Sequence, residues 1–565
     1  MALLTELPPE ILHNILRFVD PEDLAWISRI CRTLYYSIKD NLTLFKDVYL
    51  AHLDEPKPGH DVDWEQALKA AIRLQTVCRR SSIAEKKHEL AFVYETVNQL
   101  LRNASSTGKR ASGTATHAHS RNAALLIKVF ADDGNRNAFL ERSFLYERAK
   151  GELPRDAPFA SPPRTEHQQS AKLHCLYGVP LLHFGRTQYE TRASVMGPFA
   201  CSKVYDLRQY TEQTHWGPFM DDGSDRTDWE KVEAIMLVLG SNLNRLGLNR
   251  FPICKNFWDM PFAGVWPGSY MPLPILEREK GDGEEFDDPY GITGTWLRVV
   301  CFLDYTDFFD FNFNPDGDLP ARVPRRAICY GEATRLILMK IAVTGVEAPG
   351  PGDGQALPVV HFKGVSRSLD DSWDENANSD LRGRTEMKGA ITAPAPAVFH
   401  GVLTALPRLG TVRLTPEGEV RWTTFSLFSG QERWRSESIQ IGGVKSAKGV
   451  LGNWFDKDYD PRGPAGPTAF WKISDKTSQG AEKELLTDEY DENVELPSGE
   501  YFDDDDGDGH DSQGDNSAGD DVNDDDEEEE ASSSDDDHVQ IELVLAPIAE
   551  LAEVLAQPID QAENT

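Results

Sequence analysis

Leu7-Pro8-Pro9-Glu10-Ile11-Leu12-His13-Asn14-Ile15-Leu16 is the stretch on which the reading of this chain turns. Pro9 suits the first turn of a helix, where its missing N–H would have had no partner in any case. Ile11, Leu12, Ile15 and Leu16 follow at helical spacing and read as one apolar stripe. Asp20-Pro21-Glu22-Asp23-Leu24 repeats the scheme, with Asp20 as N-cap, proline next, and acids in the first turn. Leu24, Ile27 and Cys31 continue an apolar face, and Leu34 and Ile38 fall on the helix after it. A segment of about fifty residues built this way holds little core of its own and calls for a staple or a partner. It is either a docking module or a helical hairpin packed on its own chain.

Residues 3–53 resemble the F-box, whose pattern runs Leu-Pro-x-Glu-Ile-Leu, then Asp-Leu, then Cys-Arg, then an aromatic residue. Leu7-Pro8, Glu10-Ile11-Leu12, Asp23-Leu24 and Cys31-Arg32 match it. Leu34 and Phe45 stand at two positions where that family often has Trp, and both keep an apolar side chain. The resemblance implies docking on Skp1 through Leu7, Pro8, Ile11, Leu12, Ile15, Leu16, Leu24, Ile27, Cys31 and Leu34. It further implies a non-catalytic adaptor that brings a protein substrate to a cullin-RING ubiquitin ligase. The alternative is an F-box protein that works with Skp1 outside ubiquitin transfer, as a structural or interaction subunit.

Outward from this segment, residues 62–104 stay helical, with Leu68, Ile72, Leu90, Val93, Val97, Leu100 and Leu101 at apolar positions. Small polar residues at 104–120 read as a loop, 122–150 as helical again, and the four prolines of 151–169 as a linker. From about Ala171 aromatic residues, glycines and prolines become dense. Val232, Ile235, Met236, Leu239 and Leu243 mark a helix at 228–243, with Asp228 as its cap. Beyond Tyr290 the chain reads as short strands. Leu336–Val343 is a nearly continuous apolar and β-branched run, Pro416-Glu417-Gly418-Glu419 separates two strands of a hairpin, and glycines bound Ser438–Ile441 and Val450–Phe455. That texture predicts a barrel or sandwich rather than a parallel sheet.

The longer segments Val204–Arg208, Trp216–Phe219, Asp228–Met236, Asp288–Trp296 and Gly452–Asp458 resemble large F-box proteins of filamentous fungi. The β-rich part is more distantly similar to the substrate-binding barrel of vertebrate F-box-only proteins that take protein C-termini. The expected fold is therefore α+β. It comprises an α-helical F-box (3–53), a helical connector (54–150), a mixed then β-rich, barrel- or sandwich-like substrate-binding domain (171–475), and an acidic disordered tail (476–565).

Charge and cysteine usage narrow the function. The net charge is −35, and twenty Asp and Glu with no Lys or Arg lie between Glu500 and Asp537. Setting that stretch aside takes the net charge from −35 to −15. Neither value suits a nucleic-acid backbone, which needs clustered Lys and Arg. The seven cysteines lie far apart, without zinc-type spacing. No apolar run reaches the ~18 residues of a membrane span. The expectation is a cytoplasmic or nuclear protein with no membrane or nucleic-acid partner.

Candidate chemistry is sparse. Asn312-Phe313-Asn314-Pro315-Asp316-Gly317-Asp318 opens like a calcium loop, but Val323 stands where a bidentate Glu is required. Gly442-Gly443-Val444-Lys445-Ser446-Ala447-Lys448-Gly449 lacks the Gly-Lys-Ser/Thr ending of a phosphate loop. Asp304, Asp307 and Asp310 at period three read as a loop rather than an acid–base pair. No catalytic residue, metal site or cofactor is expected. Ser532-Ser533-Ser534 ahead of three Asp suit an acid-directed kinase or a solvated spacer. Arg433-Trp434-Arg435 combines a large apolar area with two guanidinium forks and is the candidate substrate contact. The competing reading buries Trp434 in the core and leaves the arginines at the surface.

Overall fold

The computed structural model describes residues 7–56, 62–105, 120–154, 157–160, 162–183, 195–246, 258–269, 287–313, 319–328, 330–368, 410–428 and 431–474. The acidic tail, its serines, and most of the calcium-like stretch lie outside them.

Four short helices open the chain: α1 (Pro9–Leu16), α2 (Pro21–Ile27), α3 (Arg32–Ile38) and α4 (Leu42–His52). Proline holds the first position of α1 and of α2. Asp20 occupies the N-cap of α2, but its side chain does not bond the helix N–H groups, contrary to the sequence reading. Asn41 does cap α4, accepting from the Leu44 N–H at 3.0 Å. Leu12, Leu16, Leu24, Leu34, Ile38, Leu44 and Val48 close the core of this unit.

A helical layer follows: α5 (Trp64–Cys78), α6 (Ile83–Lys87), α7 (Leu90–Arg102), α8 (Arg121–Phe130), α9 (Asp133–Phe139) and α10 (Phe144–Ala149). Asp63, Ser82, Ser120 and Asp132 each cap a helix start with a side-chain oxygen. Two further helices are α11 (Thr165–Tyr177) and α12 (Gly197–Val204). The first of them occupies the last residues read as linker. Helix α13 (Trp229–Leu246) is the expected central helix, and Asp228 accepts from the Glu230 and Lys231 N–H groups as its cap. It packs between α11 and α12 on one side and β-strands on the other.

Eight antiparallel strands follow in an up-and-down order that closes on itself. They are β1 (Gly294–Leu303), β2 (Glu332–Glu347), β3 (Val359–Ser368), β4 (Gly410–Leu414), β5 (Val420–Phe428), β6 (Gln431–Gln440), β7 (Val450–Asp456) and β8 (Ala465–Ser474). The barrel closes where β1 pairs with β8, Arg298 opposite Phe470 and Val300 opposite Thr468. The expected β4–β5 hairpin is present. The acids at 304–310, read as a loop, instead begin and line helix α14 (Tyr305–Phe313), where Asp304 accepts from the Thr306 N–H at 2.8 Å.

Candidate functional site

Two surfaces of this fold can hold another molecule. The first is the outer face of α1–α4. The sequence stripe Ile11, Leu12, Ile15, Leu16 splits in the structure. Leu12 and Leu16 turn inward, while Ile11 (47% exposed) and Ile15 face solvent. Leu24 and Leu34 are likewise buried in the chain's own core, and Ile27 and Cys31 are half-buried against it. Those four leucines hold the helices together and offer no surface, which corrects their reading as direct contacts. Pro8 is exposed and Leu7 half-buried. The same four helices and the turns between them also expose large apolar side chains that the sequence did not single out: Phe18 (73% exposed), Trp26 (65% exposed), Ile30, Tyr36 and Leu42. Arg17 lies over the Phe18 ring and Arg29 over Trp26.

Residues 4–51 match the F-box-like family model. No curated protein and no solved structure matches the chain at a significant level. The match covers α1 to α3 and all but the end of α4.

The F-box-like domain is fixed to the helical layer by Asp54, a fully buried carboxylate just past α4. It accepts from the Arg121 N–H at 2.9 Å, the Asn122 N–H and Ser105 N–H at 3.2 Å, and the Ser120 hydroxyl. The Asn122 side chain returns a bond to the Asp54 N–H at 3.0 Å. A buried carboxylate with this many donors is tolerated and orients both partners. No periodicity or motif around Asp54 signalled it.

The second surface is the barrel. Toward the end where β1 begins, its lumen is filled by Trp296, Ile341, Phe362, Val412, Val420, Trp422, Val450 and Phe470. Trp296 and Trp422 meet edge to face at 5.1 Å, and Trp422 meets Phe470 at 5.3 Å. The Trp422 Nε1–H donates to Gln440 Oε1 at 3.1 Å. Toward the other end, the same inward-facing registers carry Arg298, Thr424, Ser436, Ser438, Gly452, Thr468, Trp434 and Trp454. The lumen thus changes from aromatic to polar along its axis.

Arg433, Trp434 and Arg435 sit at the polar mouth, with Trp434 on the opposite face of β6 from the two arginines. Trp434 pairs with Ser426 and Asp456, and its ring meets Trp454 at 5.2 Å on the lumen side. Arg433 is exposed, with its guanidinium over the Trp434 ring. Arg435 is engaged by Glu432, by the Tyr459 hydroxyl and by the Phe425 ring.

The remaining sequence motifs have structural roles. Gly442 and Gly443 take positive φ in the turn between β6 and β7, and Lys448 Nζ–H donates to the Met260 carbonyl. A buried His174–Glu233 pair at 2.7 Å ties α11 to α13, and the other ring nitrogen faces Val179 and Leu181.

Proposed function

We propose that this chain is the substrate-selecting subunit of a Skp1–cullin–F-box ubiquitin ligase. The observation that carries this reading is the coincidence of the F-box-like match with the exposed apolar face of α1–α4. An isolated segment would collapse onto such residues, yet this one leaves Ile11, Ile15, Phe18, Trp26 and Ile30 outside while burying a complete core beneath them. Skp1 is the partner that covers that face, and a cullin-RING complex follows through Skp1. The barrel then holds a protein substrate. Ubiquitin chemistry takes place on the complex, and the adaptor acts by raising effective concentration and orienting substrate lysines. The Asp54 junction supports this role, since an adaptor that orients its cargo requires a fixed attachment. A cytoplasmic or nuclear setting fits such a complex.

The test is co-precipitation of Skp1 with the full chain and with the double variant Ile11→Asp, Ile15→Asp. Both positions are exposed, so the variant is expected to keep its melting temperature. It is expected to lose Skp1, because each carboxylate would be desolvated in the complex without a partner. Skp1 retained at wild-type level overturns the docking assignment. Skp1 retained by the wild type without any cullin would favour an F-box subunit outside ubiquitin transfer.

A further inference from the structure

The polar half of the barrel lumen contains a cation without a counter-charge among the described residues. Arg298 points inward from β1 and is 9% exposed. Its Nε–H donates to Thr468 Oγ1 at 2.9 Å. The Thr468 hydroxyl proton is itself committed to the Val299 carbonyl at 3.1 Å, so Thr468 fixes the guanidinium's direction rather than neutralising it. The two terminal nitrogens have no hydrogen bond or ion pair among the described residues and are not fully sealed from the lumen space. Burial lowers the guanidinium to about 10, which still leaves it charged at neutral pH.

A second polar group nearby lacks a partner. Ser438 Oγ is buried and has no hydrogen-bond partner among the described residues. Ser438, Gly452 and Thr468 occupy one register row across β6, β7 and β8. Gly452 places no side chain between the other two, and a Cβ there would lie 2.2 Å from Ser438 Oγ. The Ser438 hydroxyl and the Arg298 fork therefore flank a bare stretch of backbone. The outer strands of that row are about 10 Å apart, from two strand spacings. Ser436 and Thr424, hydrogen-bonded to each other, and the Trp434–Trp454 pair continue the wall toward the mouth. Asp456, the carboxylate facing the lumen near the rim, accepts the Asp458 N–H of its own turn at 2.8 Å. A buried, hydrogen-bonded but uncompensated charge is costly unless an anion joins it.

We infer that the polar half of the lumen is an oxyanion site, in which the Arg298 fork and the Ser438 hydroxyl bind a carboxylate or phosphate group. A guanidinium offers two parallel N–H donors to either group, and the Trp434–Trp454 wall takes an apolar body beside it. The site deepens the adaptor reading by assigning the chemistry of the bound substrate, and it rests on that reading only for the ligand being part of a protein.

The test uses the full chain with three small probes of similar body: N-acetyl-phenylalanine, phenyl phosphate and N-acetyl-phenylalaninamide. Binding is read by calorimetry and by melting temperature. At least one anionic probe is expected to bind saturably, and the neutral amide at least tenfold more weakly. The anion that binds tells a carboxylate source from a phosphate source. Arg298→Met is expected to melt at or above the wild-type temperature and to lose at least tenfold in anion affinity. Ser438→Ala, a smaller change, is expected to lose about threefold and covers the case in which Arg298→Met does not fold. Equal binding of amide and anions, no binding of any probe, or an unchanged affinity in both variants overturns the site. Skp1 co-precipitation run alongside separates failure of the pocket from failure of the adaptor assignment.

Discussion

Ile11 and Leu12 are neighbours in the chain and face opposite ways, and in the proposed function that one-residue difference separates docking from folding. On a helix, adjacent positions lie about 100° apart, so a four-residue apolar stripe of this kind has two edges. The inner edge, Leu12 and Leu16, meets the core of the F-box-like helices, and the outer edge, Ile11 and Ile15, faces solvent. Single charged residues carry comparable weight elsewhere. Glu141, nearly buried, bonds Lys150 Nζ at 2.7 Å and His183 Nε2 at 3.0 Å. Burial pushes its carboxyl up, but the His183 and Lys150 bonds outweigh burial and hold it down from 4.5 to about 2. A lowered carboxyl contributes stability above its ordinary value and loses it as pH falls from about 4.5 toward 2. The contribution is roughly 2 kcal/mol after screening at the half-exposed His183. Glu141→Gln should lower the melting temperature near pH 7 and flatten its fall between pH 5 and 3. An unchanged acid slope in that variant would show that Glu141 does not govern this limb.

At the scale of elements, the barrel walls are shaped by glycines that let aromatic rings lie flat. A Cβ on Gly410 of β4 would sit 2.3 Å from Phe362 Cζ of β3. Trp454 covers Gly466 in the same manner and donates its Nε1–H to the Cys301 carbonyl at 3.1 Å. Glycine is poor in strands on its own account, and here its value lies in the ring it admits. Gly410→Ala should cost about 1–3 kcal/mol by overpacking. Adding Phe362→Leu should recover part of that loss, and the recovery should appear as a coupling in a double-mutant cycle of chemical denaturation. Strictly additive losses would mean that the ring does not rest on Gly410. The outer wall has its own support. Asn242 on α13 donates to Glu332 of β2 at 2.8 Å, and Glu332 accepts from the Tyr205 hydroxyl at 2.6 Å.

At the scale of the molecule, closure of the barrel depends on its last strand. β8 pairs with β7 on one side and with β1 on the other, and Thr295 reaches register with Ser474. Lys472 Nζ–H also donates to the Gly291 carbonyl at 2.9 Å, beside the start of β1. A chain ending at residue 475 should therefore keep its melting temperature within a few degrees of the full chain, since all eight strands are retained and the stretch from Glu500 to Asp537 carries twenty acids with no Lys or Arg. A chain ending at residue 464 exposes the edges of both β1 and β7 and should aggregate on expression. Soluble, cooperative unfolding of the shorter chain would contradict the closed barrel, and a large loss in the longer one would assign the tail a structural role.

The short helices at the start of the chain, the Asp228 cap, the β4–β5 hairpin and the strand-rich character of the C-terminal half were legible in the sequence, because each depends on residues a few positions apart. Proline and acids at helix starts, turn residues between β-branched runs, and spacings of three and four act locally, whatever the rest of the chain does. Tertiary structure alone decided which edge of the α1 stripe is covered. It also made the period-three acids part of α14, joined β1 to β8 across the chain, and turned Arg298 inward beside Ser438. In β1, β7 and β8 both faces are buried, one in the lumen and one under α13, so the alternation that would tell inside from outside is erased. An arginine in such a strand carries no local sign of its surroundings. Its place in the lumen follows from a register set by β8, about 170 residues further along the chain.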